Sequence, residues 1–197
     1  QGQGSAATLT YDDAQAIREN CPAVEDVAAQ YNSAFQVQHG EQNTSTSVVA
    51  TEPSYTDIRN FFPAKGRFFS LNDLKEAARV CVLGETAANN LFFDENPLRK
   101  QVLIRGELFD VIGVMEHKGV TQMMDMDDQI FIPLSTVYAT LVGLNAVTGK
   151  QVKSILVRAK EGEDMQAHFQ ITNLLRLRHN IQSPDVDAFT LRTQAAI

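Results

Sequence analysis

The spacing of apolar and polar positions changes several times along the chain, and each change marks an element. Ala14, Ile17 and Cys21 recur at helical intervals behind Thr10 and Asp13, whose separation is that of a capping box. A helix is therefore predicted over residues 11–20, stopped by Pro22, with residues 1–8 a frayed lead-in. Over 24–38 the apolar positions alternate loosely (Val27, Ala29, Tyr31, then Phe35 and Val37) up to His39-Gly40, and 44–51 is rich in β-formers. Together these read as a long hairpin, the polar run 41–47 being either an exposed strand half or the tip.

From Pro53 the texture differs. Residues 53–62 suit a short helix with Ile58, Phe61 and Phe62 turned inward, Phe68 and Phe69 follow, and Ser70 with Asp73 repeats the capping spacing. Val80, Cys81, Val82 and Leu83 form an unbroken apolar run bounded by Gly84, too short for a buried helix and so a strand covered on both faces. Next come a helix of about two turns, an Asn96-Pro97 break, and a hairpin turning at Gly106-Glu107. Residues 116–128 are polar, acidic and methionine-laden; 129–132 is a strand, and 133–142 a helix opened by Pro133. Beyond Gly149, 152–159 is a strand, Gly162 breaks it, and 163–180 is the longest helix, with Ala167, Ile171, Leu174 and Leu175 on one face. Ser183-Pro184 ends that helix before a last strand at 186–191.

The two chain ends thus supply helix, strand, strand, then strand, helix, strand. The fold class expected is α+β, a β-α-β layer formed by both ends (8–52 plus 146–197) with a smaller α/β subdomain, 53–145, inserted between them.

With 197 residues, 44% of them apolar, the chain can bury a sizeable core. Seventeen Lys and Arg against 24 Asp and Glu give a net charge of −7, which argues against a nucleic-acid groove or a basic membrane-surface patch. Arg176, Arg178 and His179 cluster late in a predicted helix, where they complement its dipole. No run of 18 apolar residues and no charged-then-apolar leader is present. The opening QGQGSAAT lacks an initiator Met, so the chain is read as a soluble segment of something longer. Cys21 and Cys81 fall in different modules, and buried free thiols are expected rather than a bridge.

Candidate chemistry is sparse. Asp125, Asp127 and Asp128, with Asp110 and His117, could ligate a divalent ion, but neither EF-hand nor zinc spacing occurs, and a solvated acidic loop explains them equally. Met123, Met124 and Met126 lie together with Met115 and form either core filler or an adaptable partner-contact surface, Met115 being assigned to the core. His39, His117, His168 and His179 have no Ser or Cys at a nucleophile spacing, and Ser135 sits in LST without a GxSxG elbow. A triad assembled in space stays open only as a remote hydrolase reading.

The segment RVCVLGETAANNLFFDENPLRKQVLIRGELFDVIGV, residues 79–114, resembles the extracytoplasmic domain of MacB-type ABC transporter permeases. So do GRFFS (66–70), NTSTSVVATEPSY (43–55), DMDDQIFIPLSTVYATLVG (125–143) and DAFTLRTQ (187–194). One departure is Leu98-Arg99-Lys100, where the family usually carries a small-residue turn with glycine. The resemblance implies a porter-like layer interrupted by a smaller subdomain, a non-catalytic domain on the periplasmic side of the inner membrane, and no cofactor in this domain, ATP belonging to a separate cytoplasmic domain or subunit. It also implies, as partners, a second copy of the permease, a periplasmic adaptor and, through it, an outer-membrane channel, with substrate moved by distant ATP hydrolysis. In lipoprotein-releasing relatives such as LolC the same domain captures a lipoprotein or its carrier, which is the alternative.

Overall fold

The computed structural model describes residues 8–180, apart from 122 and 148. The predicted last strand at 186–191, the Ser183-Pro184 helix end and most of the lead-in lie outside these residues.

Helix α1 (Tyr11–Asn20) starts at the expected capping box, Thr10 and Asp13 each accepting from the other's backbone. The hairpin β1 (Val24–His39) and β2 (Gln42–Thr51) follows as the pattern predicts. Short helix α2 (Tyr55–Arg59) buries Ile58, and Phe61 beyond it is fully buried, but Phe62 is 39% exposed. The inward reading of Phe62 is therefore corrected: the chain leaves α2 through the left-handed Asn60 and enters an unforeseen strand β3 (Pro63–Gly66). Helix α3 (Leu71–Lys75) carries the Ser70–Asp73 capping box, with Arg67 Nη1 donating to Asp73 Oδ2 at 2.8 Å. Then come β4 (Val80–Leu83), α4 (Glu85–Phe92), β5 (Gln101–Ile104) and β6 (Glu107–Met115). The β5–β6 turn is Arg105-Gly106, both at positive φ, one residue before the predicted Gly106-Glu107.

A small hairpin, β7 (Val120–Thr121) and β8 (Met124–Asp125), precedes β9 (Gln129–Pro133), which is buried throughout. Helix α5 (Leu134–Val137) runs on as a π-helical turn, Tyr138–Val142. The Leu141 carbonyl accepts from Arg105 Nη1 at 2.9 Å, so an end-of-helix acceptor finds a guanidinium. Strand β10 (Ser154–Ala159) begins two residues later than the pattern predicts, and α6 (Asp164–His179) packs Ala167, Ile171 and Leu175 inward.

The main sheet has the order β10-β1-β2-β9-β4-β6-β3, and β5 pairs with both β1 and β6. Strands β1, β2, β9, β4, β6 and β5 thereby form a closed circuit, Val37 pairing with Ile104 at the closure. Two of its pairings, β2 with β9 and β4 with β6, are parallel. Helix α4 packs against β1, β2, β6 and β9, which places its apolar face within the curl. The two sheet faces carry separate cores. Val48, Ala50, Cys81, Leu83, Ile130 and Ile132 join the α4 side; Val49, Val82 and Phe131 join Tyr55, Phe61, Phe69 and Met115 on the other. A bulge between the Cys81–Val111 and Val82–Gly113 pairs resets the alternation of β6, so Phe109 and Val111 face the first core and Met115 the second.

Two polar closures hold distant segments. Strand β1 outruns β2, and there Glu52 Oε2 accepts from Ala29 N at 2.8 Å and from Arg18 Nη2 at 3.0 Å. Val27 O accepts from Arg18 and Ser54, so side chains complete the ladder that β2 leaves unfinished. At the other end of α1, buried Asp13 accepts from Thr10 N, from Arg178 Nε at 2.8 Å and pairs with His179 Nε2 at 2.9 Å, tying α6 to α1. Arg178 and His179 thus do more than complement a dipole.

Candidate functional site

The methionine-rich segment is built around Asp127, 3% exposed. Its carboxylate accepts from Lys118 N at 2.8 Å and Gly119 N at 2.9 Å, and His117 Nδ1 lies 2.8 Å away. Its backbone carbonyl accepts from Thr86 N and Ala87 N, capping the start of α4. Gly84 is required beside it: a Cβ there would stand 2.2 Å from Asp127 O. Lys118 Nζ reaches the carbonyls of Arg59 and Asn60 and lies over the Phe61 ring, and Asp128 accepts from Thr46 Oγ1 at 2.8 Å. Asp125 Oδ1 accepts from Asp127 N at 3.0 Å. The acids are thus engaged in turn and helix-cap bonds. Among the described residues no group of three or more His, Cys, Asp and Glu is placed to hold a metal ion, and Asp110 lies on β6, accepting from Gln101 Nε2.

From this base β7 and β8 project, Val120 opposite Asp125 and Thr121 opposite Met124. Met123 is fully exposed at the tip with φ 64, Met124 is 49% exposed, and Val120 is 70% exposed. Met126 packs into the second core instead, with Met115. The three methionines named together in the sequence therefore separate: Met123 and Met124 are presented to solvent, and Met126 is filler. Missed in the sequence was Asp127 as the anchor. Its signal was the polar His-Lys-Gly run eight to ten residues upstream, which supplies backbone donors to a buried carboxylate.

The remaining candidates do not converge. Ser135 Oγ donates to Leu74 O, and His168 is exposed on α6. An open groove lined by His39, Arg99, Lys100, Gln101, Leu108 and Asp110 has most of its polar groups engaged: Lys100 with Glu95, Gln101 with Asp110, His39 Nδ1 with the Gln101 carbonyl. Cys21 and Cys81 are buried free thiols, and burial, then the nearby Asp110 charge, pushes the Cys81 thiol well up. Arg99 sits at φ 67 as the third residue of a turn closed by Lys100 N donating to Pro97 O, where a glycine fits. Among the described residues no helix is long and apolar enough to cross a membrane.

Residues 1–174 match the family model for the MacB-like periplasmic core domain. The chain is 33% identical over 98% of its length to the macrolide export ATP-binding/permease protein MacB of Chlorobaculum tepidum, and covers 29% of that protein. It is 37% identical over 72% of its length to the MacB of Syntrophobacter fumaroxidans, covering 20%. The chain thus spans less than a third of these relatives. The periplasmic region of MacB from Actinobacillus actinomycetemcomitans superposes with a TM-score of 0.77 at 25% identity, over 91% of this chain and 81% of that one. The extracellular domain of the transporter YknZ from Gram-positive bacteria gives 0.75 at 18% identity, over 89% and 86%, a likeness of fold. On the strength of the match across nearly its whole length, this chain belongs to the MacB-like periplasmic core domain family.

Proposed function

We propose that the chain is the non-catalytic extracytoplasmic part of a MacB-like ABC transporter permease, working as a stiff body that couples ATP hydrolysis in the cytoplasm to movement of substrate across the envelope. The family match over residues 1–174 carries this reading. The closed circuit of six strands supports it, since load on one strand is shared through hydrogen-bonded neighbours on both sides. In this reading residues 8–52 plus 146–197 act as a porter-like β-α-β subdomain and 53–145 as the smaller inserted one, although β2 and β9 join their strands in one sheet. Its partners are a second permease copy and a periplasmic adaptor leading to an outer-membrane channel, with Met123 and Met124 the contact residues offered by the hairpin.

A direct test replaces the corresponding domain of a MacB exporter with this chain in a macrolide-sensitive strain that also carries the adaptor. Restored resistance above that of a domain-deleted exporter is the expected outcome. A stably inserted, ATP-hydrolysing chimera that neither restores resistance nor cross-links to the adaptor would count against it. The exposed hairpin tip keeps a lipoprotein carrier as the second reading, while the relatives named above, both macrolide exporters, weigh for export. Pull-down with adaptor and with carrier separates the two.

A further inference from the structure

The hairpin also sets apart the chemistry of its thioethers. Met115 and Met126 are 1% and 6% exposed, while Met123 and Met165 are 100% and 84% exposed. Met124 is a distinct case: half exposed, with its Sδ accepting from Gln129 Nε2 at 3.3 Å. Gln129 is 3% exposed and opens β9, and its Oε1 is buried with no hydrogen-bond partner among the described residues, so the sulfur contact orients this amide. A thioether sulfur has two lone pairs, and oxidation at one or the other gives opposite sulfoxide epimers. At Met124 the Gln129 donor lies 3.3 Å from the sulfur of a half-exposed side chain, so an oxidant arriving from solvent is favoured at the lone pair that the donor does not engage.

We propose that the β7–β8 tip is a peroxide-reactive methionine site, in which Met123 and Met124 are converted to sulfoxides and Met124 yields one epimer. A sulfur lone pair attacks one oxygen of hydrogen peroxide, the S–O bond forms as the O–O bond breaks, and two electrons pass from sulfur to peroxide. Proton transfer from the attached oxygen to the departing one releases water and leaves the sulfoxide. The tip changes from apolar to polar while the core methionines stay reduced. The effect on a docked partner rests on the contact reading above; the selectivity does not.

The chain is treated with graded hydrogen peroxide, digested, and each methionine peptide quantified by mass spectrometry before and after separate treatment with the two epimer-specific sulfoxide reductases. Met123 and Met165 are expected to oxidise first as near-equal epimer mixtures, and Met115 and Met126 at least about tenfold more slowly. Met124 should show one epimer in about tenfold excess, an excess lost in Gln129→Leu with the circular dichroism spectrum unchanged. The native protein decides the matter even if that variant misfolds. Equal epimers at Met124, or Met126 oxidising as fast as Met123, overturns the proposal.

Discussion

Removing the Glu52 carboxylate opens the side-chain closure of β1, and the cost can be worked bond by bond. Ala29 is fully buried, so in Glu52→Ala its N–H, now 2.8 Å from Glu52 Oε2, loses its acceptor. An orphaned buried donor costs about 1–3 kcal/mol. The Arg18 arm is a weaker matter: its side chain is 38% exposed, so it regains water, and its pairing contributes about 0–1 kcal/mol. The sum is about 1–4 kcal/mol, with a midpoint of about 2.5 kcal/mol. For a chain of this length that corresponds to a fall in Tm of about 5–10 °C. Urea titration followed by circular dichroism measures it, with an unchanged m-value expected because the exposed surface on unfolding is the same. Glu52→Gln keeps an oxygen for the Ala29 N–H and should cost about 1 kcal/mol. A Glu52→Ala variant within about 0.5 kcal/mol of the parent, or a Gln variant as damaged as the Ala one, refutes the ladder-completion argument.

Three further outcomes follow from other contacts. Burial pulls the Asp13 carboxyl up, but the hydrogen bonds from Arg178 and Thr10 N and the His179 charge outweigh it and hold it below its ordinary value. The unfolded carboxyl therefore binds its proton first, so this stabilisation is complete above the ordinary Asp range and is lost as pH falls through the lower folded pKa; Asp13→Asn should flatten that part of the acid denaturation profile. Gly84→Ala puts a methyl 2.2 Å from a backbone carbonyl that already caps α4, so a loss of about 2–3 kcal/mol is expected in a urea titration. Arg99→Gly, by contrast, should stabilise by about 0.5–1 kcal/mol, since it removes left-handed strain at an exposed turn and pays only glycine's chain entropy; an unchanged or lower Tm would contradict the turn assignment.

Local rules made much of the chain legible. Both capping boxes, the long hairpin, the buried VCVL strand and the inner face of α6 stand where spacing and side-chain chemistry place them. What depends on partners far along the chain was not readable. The Asp13–Arg178 bond spans 165 positions, and β5 closes the circuit through two pairs with β1 that no hydrophobic period encodes. Of the pairings of β6 only the hairpin with β5 is legible locally; its bulged parallel pairing with β4 joins strands that are not consecutive in the chain. At the hairpin, composition gathered three methionines but could not separate them. Met126 turns inward because Asp127, next to it, is pulled beneath the loop by the amides of Lys118 and Gly119.

That anchoring makes the tip separable from the scaffold. The loop is fixed at its two stems, by 117–119 and 125–128, and Met124 is tied to the body through Gln129 Nε2, so Val120, Thr121 and Met123 behave as a replaceable cartridge on a fixed socket. An epitope or fluorophore placed there should leave the body unaltered.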